Sequence, residues 1–279
     1  MRWRKGKRSQ NIEDRRGSSG RGRKVAGLGG GATILAFIAA MVLGVDPGQL
    51  TSLLGGAQST QQAPIQTNAQ EEEIKDFLSV VLADTEQVWG QIFQKAGFRY
   101  EPPKLVLYRE ATPTACGTGQ AAAGPFYCPG DHKLYFDLSF LSELKRMGAS
   151  GDFALAYVIA HEVGHHIQTL EGTAAKVQEA RSRSSKTEGN RIQVAMELQA
   201  DCYAGVWANH AQQQRSILEE GDLEEGMQAA ASVGDDHLQR MAGRRVVPEA
   251  FTHGSSQQRQ QWLIRGLKSG DISQCDTFS

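Results

Sequence analysis

Missing from this 279-residue chain is any C-x-x-C pair; its four cysteines stand apart at Cys116, Cys128, Cys202 and Cys275. That spacing argues against a zinc site built from cysteines. No internal repeat is visible, so the fold is not a stack of one recurring unit. Acidic residues are scarce in the first 24 positions, where only Glu13 and Asp14 face ten Lys and Arg. Charge of either sign is absent from Val25 to Val45, a run of 21 residues. No small-x-small cleavage site follows that run. Arg15-Arg16 also lacks the apolar continuation of a twin-arginine leader, so a cleaved signal peptide fits poorly.

What is present begins with a charge split. Residues 1–24 carry a local net charge of +8, and the rest of the chain carries −9, for an overall −1. As a helix, 25–45 would span ~31 Å, about one bilayer core. These features predict a basic cytoplasmic tail over 1–24 and a transmembrane helix over 25–45 that anchors the protein to the membrane. A Gln/Gly/Ser/Thr/Pro-rich linker over 46–70 would follow, then a folded domain over 71–279. The expected location is the bacterial inner membrane, single-pass, with the domain extracytoplasmic (periplasmic). An even cysteine count suits such a compartment and predicts disulfides, preferably Cys116–Cys128 and Cys202–Cys275. The basic tail then serves topology, and no nucleic-acid partner is expected.

Within the domain, apolar residues from Ile74 to Phe93 recur at helical spacing and predict a helix over 71–96. Strands are expected at 104–108 and 133–137, on either side of a turn-rich stretch at 111–130. Ser150 or Asp152 can cap a helix running to about Leu170, and another helix is expected over about 191–212. Asp222-x-x-Glu225 has the form of a capping box opening a helix to about Gly234, and a last helix should run over 256–267. The predicted fold is α+β: a mainly helical, zincin-like domain with a small sheet, plus the transmembrane helix.

The chemistry concentrates at His161-Glu162-Val163-Gly164-His165, an H-E-x-x-H motif in an apolar helix. Spacing of four puts the two histidines ~40° apart on one face, where both can bind a single Zn²⁺. Glu162 sits at the edge of that face, placed to act as general base on a bound water. His166 is rotated away and is a poor third ligand. Glu197, His210, His237 and His253 are the downstream candidates. Glu197 and Asp201 share one face of a run too apolar to be freely exposed, so Glu197 can bind metal while Asp201 accepts a histidine N–H.

HEVGHH at 161–166, MELQADCYAGVW at 196–207 and HGSSQQR at 253–259 resemble the bacterial neutral zinc metallopeptidases along essentially the whole chain. More distantly, H-E-x-x-H and E-x-x-A-D are similar to the prenyl-protein and heat-shock membrane metalloproteases. The resemblance implies that His161, His165 and Glu197 bind zinc and that Asp201 supports a histidine. It also implies that His253 and Arg259 lie near the catalytic centre. Those distant relatives carry several membrane helices, whereas this chain offers one candidate. The expected activity is zinc-dependent endopeptidase on a protein or peptide substrate, with Glu162 and His253 catalytic. The alternative is a non-catalytic, membrane-tethered metal-containing binding or assembly protein; Glu162 argues against it, since a structural site has no use for a base. A deformylase-like ligand set through the upstream Cys116 is disfavoured by its turn-rich setting.

Overall fold

The computed structural model describes residues 1–17, 68–120 and 124–279. They form a mixed body of helix and sheet. Helix α1 (Ala69–Lys95) starts where the Asn68 side chain accepts the Glu71 N–H, and it buries the face from Phe77 to Trp89. The strands follow: β1 (Ile12–Asp14), β2 (Lys104–Tyr108), β3 (Ala111–Thr114), β4 (Gly117–Gln120), β5 (Phe126–Cys128) and β6 (Lys133–Asp137). One sheet has the order β1-β2-β6-β5, parallel except for the antiparallel β5–β6 pair, and β3–β4 is a separate hairpin. Cys116–Cys128 ties the tip of that hairpin to β5, and Cys202–Cys275 ties the C-terminal segment to a helix. Both pairings match expectation.

The helical layer comprises α2 (Phe140–Arg146), α3 (Asp152–Leu170), α4 (Thr173–Ser182), α5 (Lys186–Arg215), α6 (Asp222–Ser232), α7 (Asp235–Met241) and α8 (Ser256–Ser269). Helix α3 is buried along nearly its whole length, as its apolar composition requires. Two glycines set how closely its neighbours approach. A Cβ on Gly164 would lie 3.0 Å from the Ala200 backbone, so α3 and α5 cross almost in backbone contact. A Cβ on Gly266 would overlap the Cys202 carbonyl, which lets α8 lie directly on α5. These two crossings bring the H-E-x-x-H helix, the Glu197 helix and the Arg259 helix together.

The capping box expected at Asp222 does not form. Gly221 is the N-cap of α6 and provides no side-chain bond. Glu225 instead reaches across to accept the Phe153 N–H at 3.1 Å, supplying the start of α3 with the cap that Gly151 lacks. Asp222 and Asp152 both bind the Met1 ammonium, at 3.2 and 2.6 Å.

The basic N-terminal segment requires the largest correction. Residues 1–17 pack onto the body: Trp3 is buried against Phe77 edge-to-face, with ring centroids 5.3 Å apart. Strand β1 is hydrogen-bonded to β2. The tail's positive charges meet carboxylates of α1, with Arg4 on Glu73, Arg8 on Asp76 and Arg16 on Glu72, and Arg16 also pairs with Asp14 of β1. The charge split is therefore at least partly attraction within the body, not a signal of opposite membrane faces. A single pass over 25–45 would separate residues 1–17 from the domain they are packed on. No helix among the described residues is long and apolar enough to cross a membrane. The predicted transmembrane helix in the fold, membrane attachment through 25–45, and the single-pass inner-membrane location with an extracytoplasmic domain are accordingly withdrawn. Residues 25–45, and most of the proposed linker, lie outside the described residues.

Candidate metal centre

His161 and His165 project from one face of α3, their ring centroids 4.8 Å apart. Glu197 of α5 faces them. Its Oε2 lies 3.2 Å from His161 Nε2 and 3.4 Å from His165 Nε2. Ligand bonds of 2.0–2.1 Å at tetrahedral angles would place donor atoms about 3.3 Å apart. The two nitrogen–oxygen separations therefore match the edges of a zinc tetrahedron, and these three residues form a metal-competent group. Two imidazoles and one carboxylate, with a fourth position open, suit zinc.

Each ligand is held by a second residue that fixes its state. Asp201 Oδ1 lies 2.8 Å from His161 Nδ1. An ionised carboxylate can only accept, so Nδ1 carries the proton and Nε2 presents its lone pair to the metal position. Gln168 does the same for His165 with an amide. Its Nε2 donates to the Met196 carbonyl at 2.8 Å, which turns its oxygen toward His165 Nδ1, also 2.8 Å away. Gln193 Nε2 donates to Glu197 Oε1 at 2.7 Å, leaving Oε2 for the histidines. Burial alone would raise the Glu197 pKa, but His165 and His161 hold it well below the usual carboxylate range.

Asp201 is completely buried and receives a dense set of donors. Tyr157 Oη donates at 2.6 Å, and Arg259 donates through Nε at 2.8 Å and Nη2 at 2.9 Å. Burial opposes its charge, yet Arg259 and His161 hold its pKa down to about 2. Arg259, also buried, is thus the counter-ion of the carboxylate that orients His161. Its place in the sequence beside His253 gave no hint of that role.

Glu162 is buried beside the metal group and lines the same cleft as Tyr127 of β5. Burial raises its pKa above the ordinary value. His166 is no ligand. Its Nε2 faces the Glu101 carbonyl at 2.7 Å, so Nε2 bears the proton and Nδ1 accepts from Tyr127 Oη. Burial drives its pKa down to about 4, keeping it neutral. His210 Nε2 donates to the Gly270 carbonyl, and neither it nor His237 belongs to the metal group.

His253 is half-exposed and lines the same cleft as His161, Glu162, His165 and Glu197. Asp235 Oδ2 pins its loop by accepting the N–H groups of Thr252, His253 and Gly254 at 2.7, 2.6 and 3.0 Å. Asp235 Oδ1 lies 3.3 Å from His253 Nδ1. The sequence did not reveal Gln168, Gln193 or Tyr157. The available signal was spacing: Tyr157 and Gln168 lie four residues before and three after the two histidines, and Gln193 lies four before Glu197.

Residues 1–278 match the sequence family described as "Putative neutral zinc metallopeptidase". The chain belongs to that family. Among proteins it resembles is the uncharacterized protein YpfJ of Escherichia coli K12, 50% identical over 285 residues, covering 100% of this chain and 99% of that protein. Another is the uncharacterized protein Rv2575 of Mycobacterium tuberculosis H37Rv, 37% identical over 258 residues, with 86% and 85% covered. No solved structure matches the chain. The family match begins at residue 1, in keeping with the packing of the N-terminal segment onto the rest of the body.

Proposed function

We propose that this protein is a zinc-dependent endopeptidase in which Glu162 is the general base and His253 an electrophilic partner. The observation that carries the reading is the convergence of His161, His165 and Glu197 at zinc-like spacing, with buried Glu162 adjoining them in an open cleft. Bound zinc would polarise the scissile carbonyl and make a water more acidic. Glu162 would take the proton of the attacking water and deliver it to the leaving amine. Its raised pKa, caused by burial, moves it toward the range such a proton carrier needs. Strand β5 is an edge of the four-stranded sheet, and Phe126 and Tyr127 line the cleft. An extended peptide could therefore run along it.

Metal analysis tests the ligand set directly. The wild-type protein is expected to hold one equivalent of zinc. Glu197→Ala should lose both metal and activity, whereas Asp201→Asn should weaken zinc binding by about 10–100-fold. Tight, stoichiometric zinc in Glu197→Ala would reject Glu197 as a ligand.

His253 would donate to the oxygen on which negative charge develops, oriented by Asp235 through Nδ1. Replacing His253 by Ala should lower kcat by up to about 10²–10³-fold, with zinc content and KM little changed. An unchanged kcat would return it to the role of a loop residue.

A further inference from the structure

The cleft, about 590 Å³ in volume, is lined by two chemically different sets of side chains. One is the metal centre. The other is apolar: Phe140 from the start of α2, Met147 just past its end, Val158 from α3, and Val233 and Leu238 from the α6–α7 region. Val158 precedes Glu162 by four residues, so it stands one turn away on the same helix face, about 6 Å off. The apolar wall therefore begins within one residue's length of where Glu162 would act. The chain entering β5 runs along the same wall, since a Cβ on Gly124 would lie 3.5 Å from the Phe140 ring.

Met147, Val233 and Leu238 remain partly exposed. Three elements thus turn apolar side chains toward water inside the cleft. Of the charged groups beside them, Glu143 is ion-paired to Arg146 on α2, and Arg259 is neutralised by Asp201. Apart from Glu162, the charged groups beside these apolar residues are thus already ion-paired within the protein.

We infer that this apolar lining is the subsite for a residue flanking the scissile bond, and that it selects a large apolar side chain such as Leu, Met or Phe. The inference rests on the peptidase reading above. Apolar subsites discriminate by ~10–200-fold per methylene, so a preference of at least about tenfold over Gly or Asp is expected.

The test is to incubate the zinc-loaded full chain with a mixture of unstructured peptides and map the cuts by mass spectrometry. Large apolar residues should dominate one flanking position. The half-buried Leu238 allows a second arm. Leu238→Arg should lower cleavage beside apolar residues at least about tenfold and raise it beside Asp and Glu, with zinc content and melting temperature unchanged. Cuts spread evenly over residue classes, or an unaltered profile in Leu238→Arg, would overturn the subsite and leave the peptidase reading standing. Absence of any cleavage by zinc-loaded protein would overturn both.

Discussion

Glu162→Gln should leave the protein folded and zinc-loaded while lowering peptide hydrolysis by about 10²–10⁴-fold, the usual effect of removing a general base. The substitution is nearly isosteric. Glutamine fills the same volume, so the packing of β5 against α3 should be kept. Glu162 lies outside the trio of His161, His165 and Glu197, which is why metal content should hold. The loss should appear in kcat, because the missing proton transfer belongs to the transition state and not to substrate binding. The measurement is a single-turnover assay on an unstructured peptide, alongside metal analysis and a melting curve. Hydrolysis within a few-fold of wild type would mean that another group activates water.

Deleting residues 1–17 should abolish cooperative folding. The segment contributes Trp3 and Met1 to the core, the edge strand β1, and ion pairs to Glu73, Asp76 and Glu72. Truncating one buried Trp to Ala typically costs about 3–5 kcal/mol, against a net stability of about 5–15 kcal/mol for a whole domain. Removing the segment also uncovers Phe77 on α1 and leaves the β2 edge unpaired. The expected product is an aggregating or loosely packed chain without a sharp thermal transition, and Trp3→Ala should show a lowered transition in the full chain. A truncated protein that melted cooperatively at the wild-type temperature would show the segment to be dispensable.

Much of the candidate site was legible because its residues sit on regular helices. Spacing of four is enough to put His161 above His165, or Glu197 above Asp201, on one face wherever the helix lies. The same local logic gave β2, β6 and the helix carrying the motif. It failed where a group's partner is remote in sequence. Asp222-x-x-Glu225 has the letters of a local cap, but Glu225 caps α3 and Asp222 meets Met1. Gln168 reads as an ordinary helix glutamine until the Met196 carbonyl on another helix fixes which way its amide points.

The charge pattern failed for a related reason. A basic tail before an uncharged run is written the same way whether its arginines stay across a membrane or pair with carboxylates of the domain. Only contacts such as Arg8 with Asp76 and β1 with β2 distinguish the two. The sequence by itself determined the candidate metal group, since two imidazoles and a carboxylate pair at spacings of four are set by residue type and helical period. Tertiary structure decided that the first 17 residues belong to the same body, that Arg259 balances Asp201, and that Gln168 and Gln193 orient two of the ligands. These depend on helices crossing at Gly164 and Gly266, and no period within one segment encodes which other segment will lie against it.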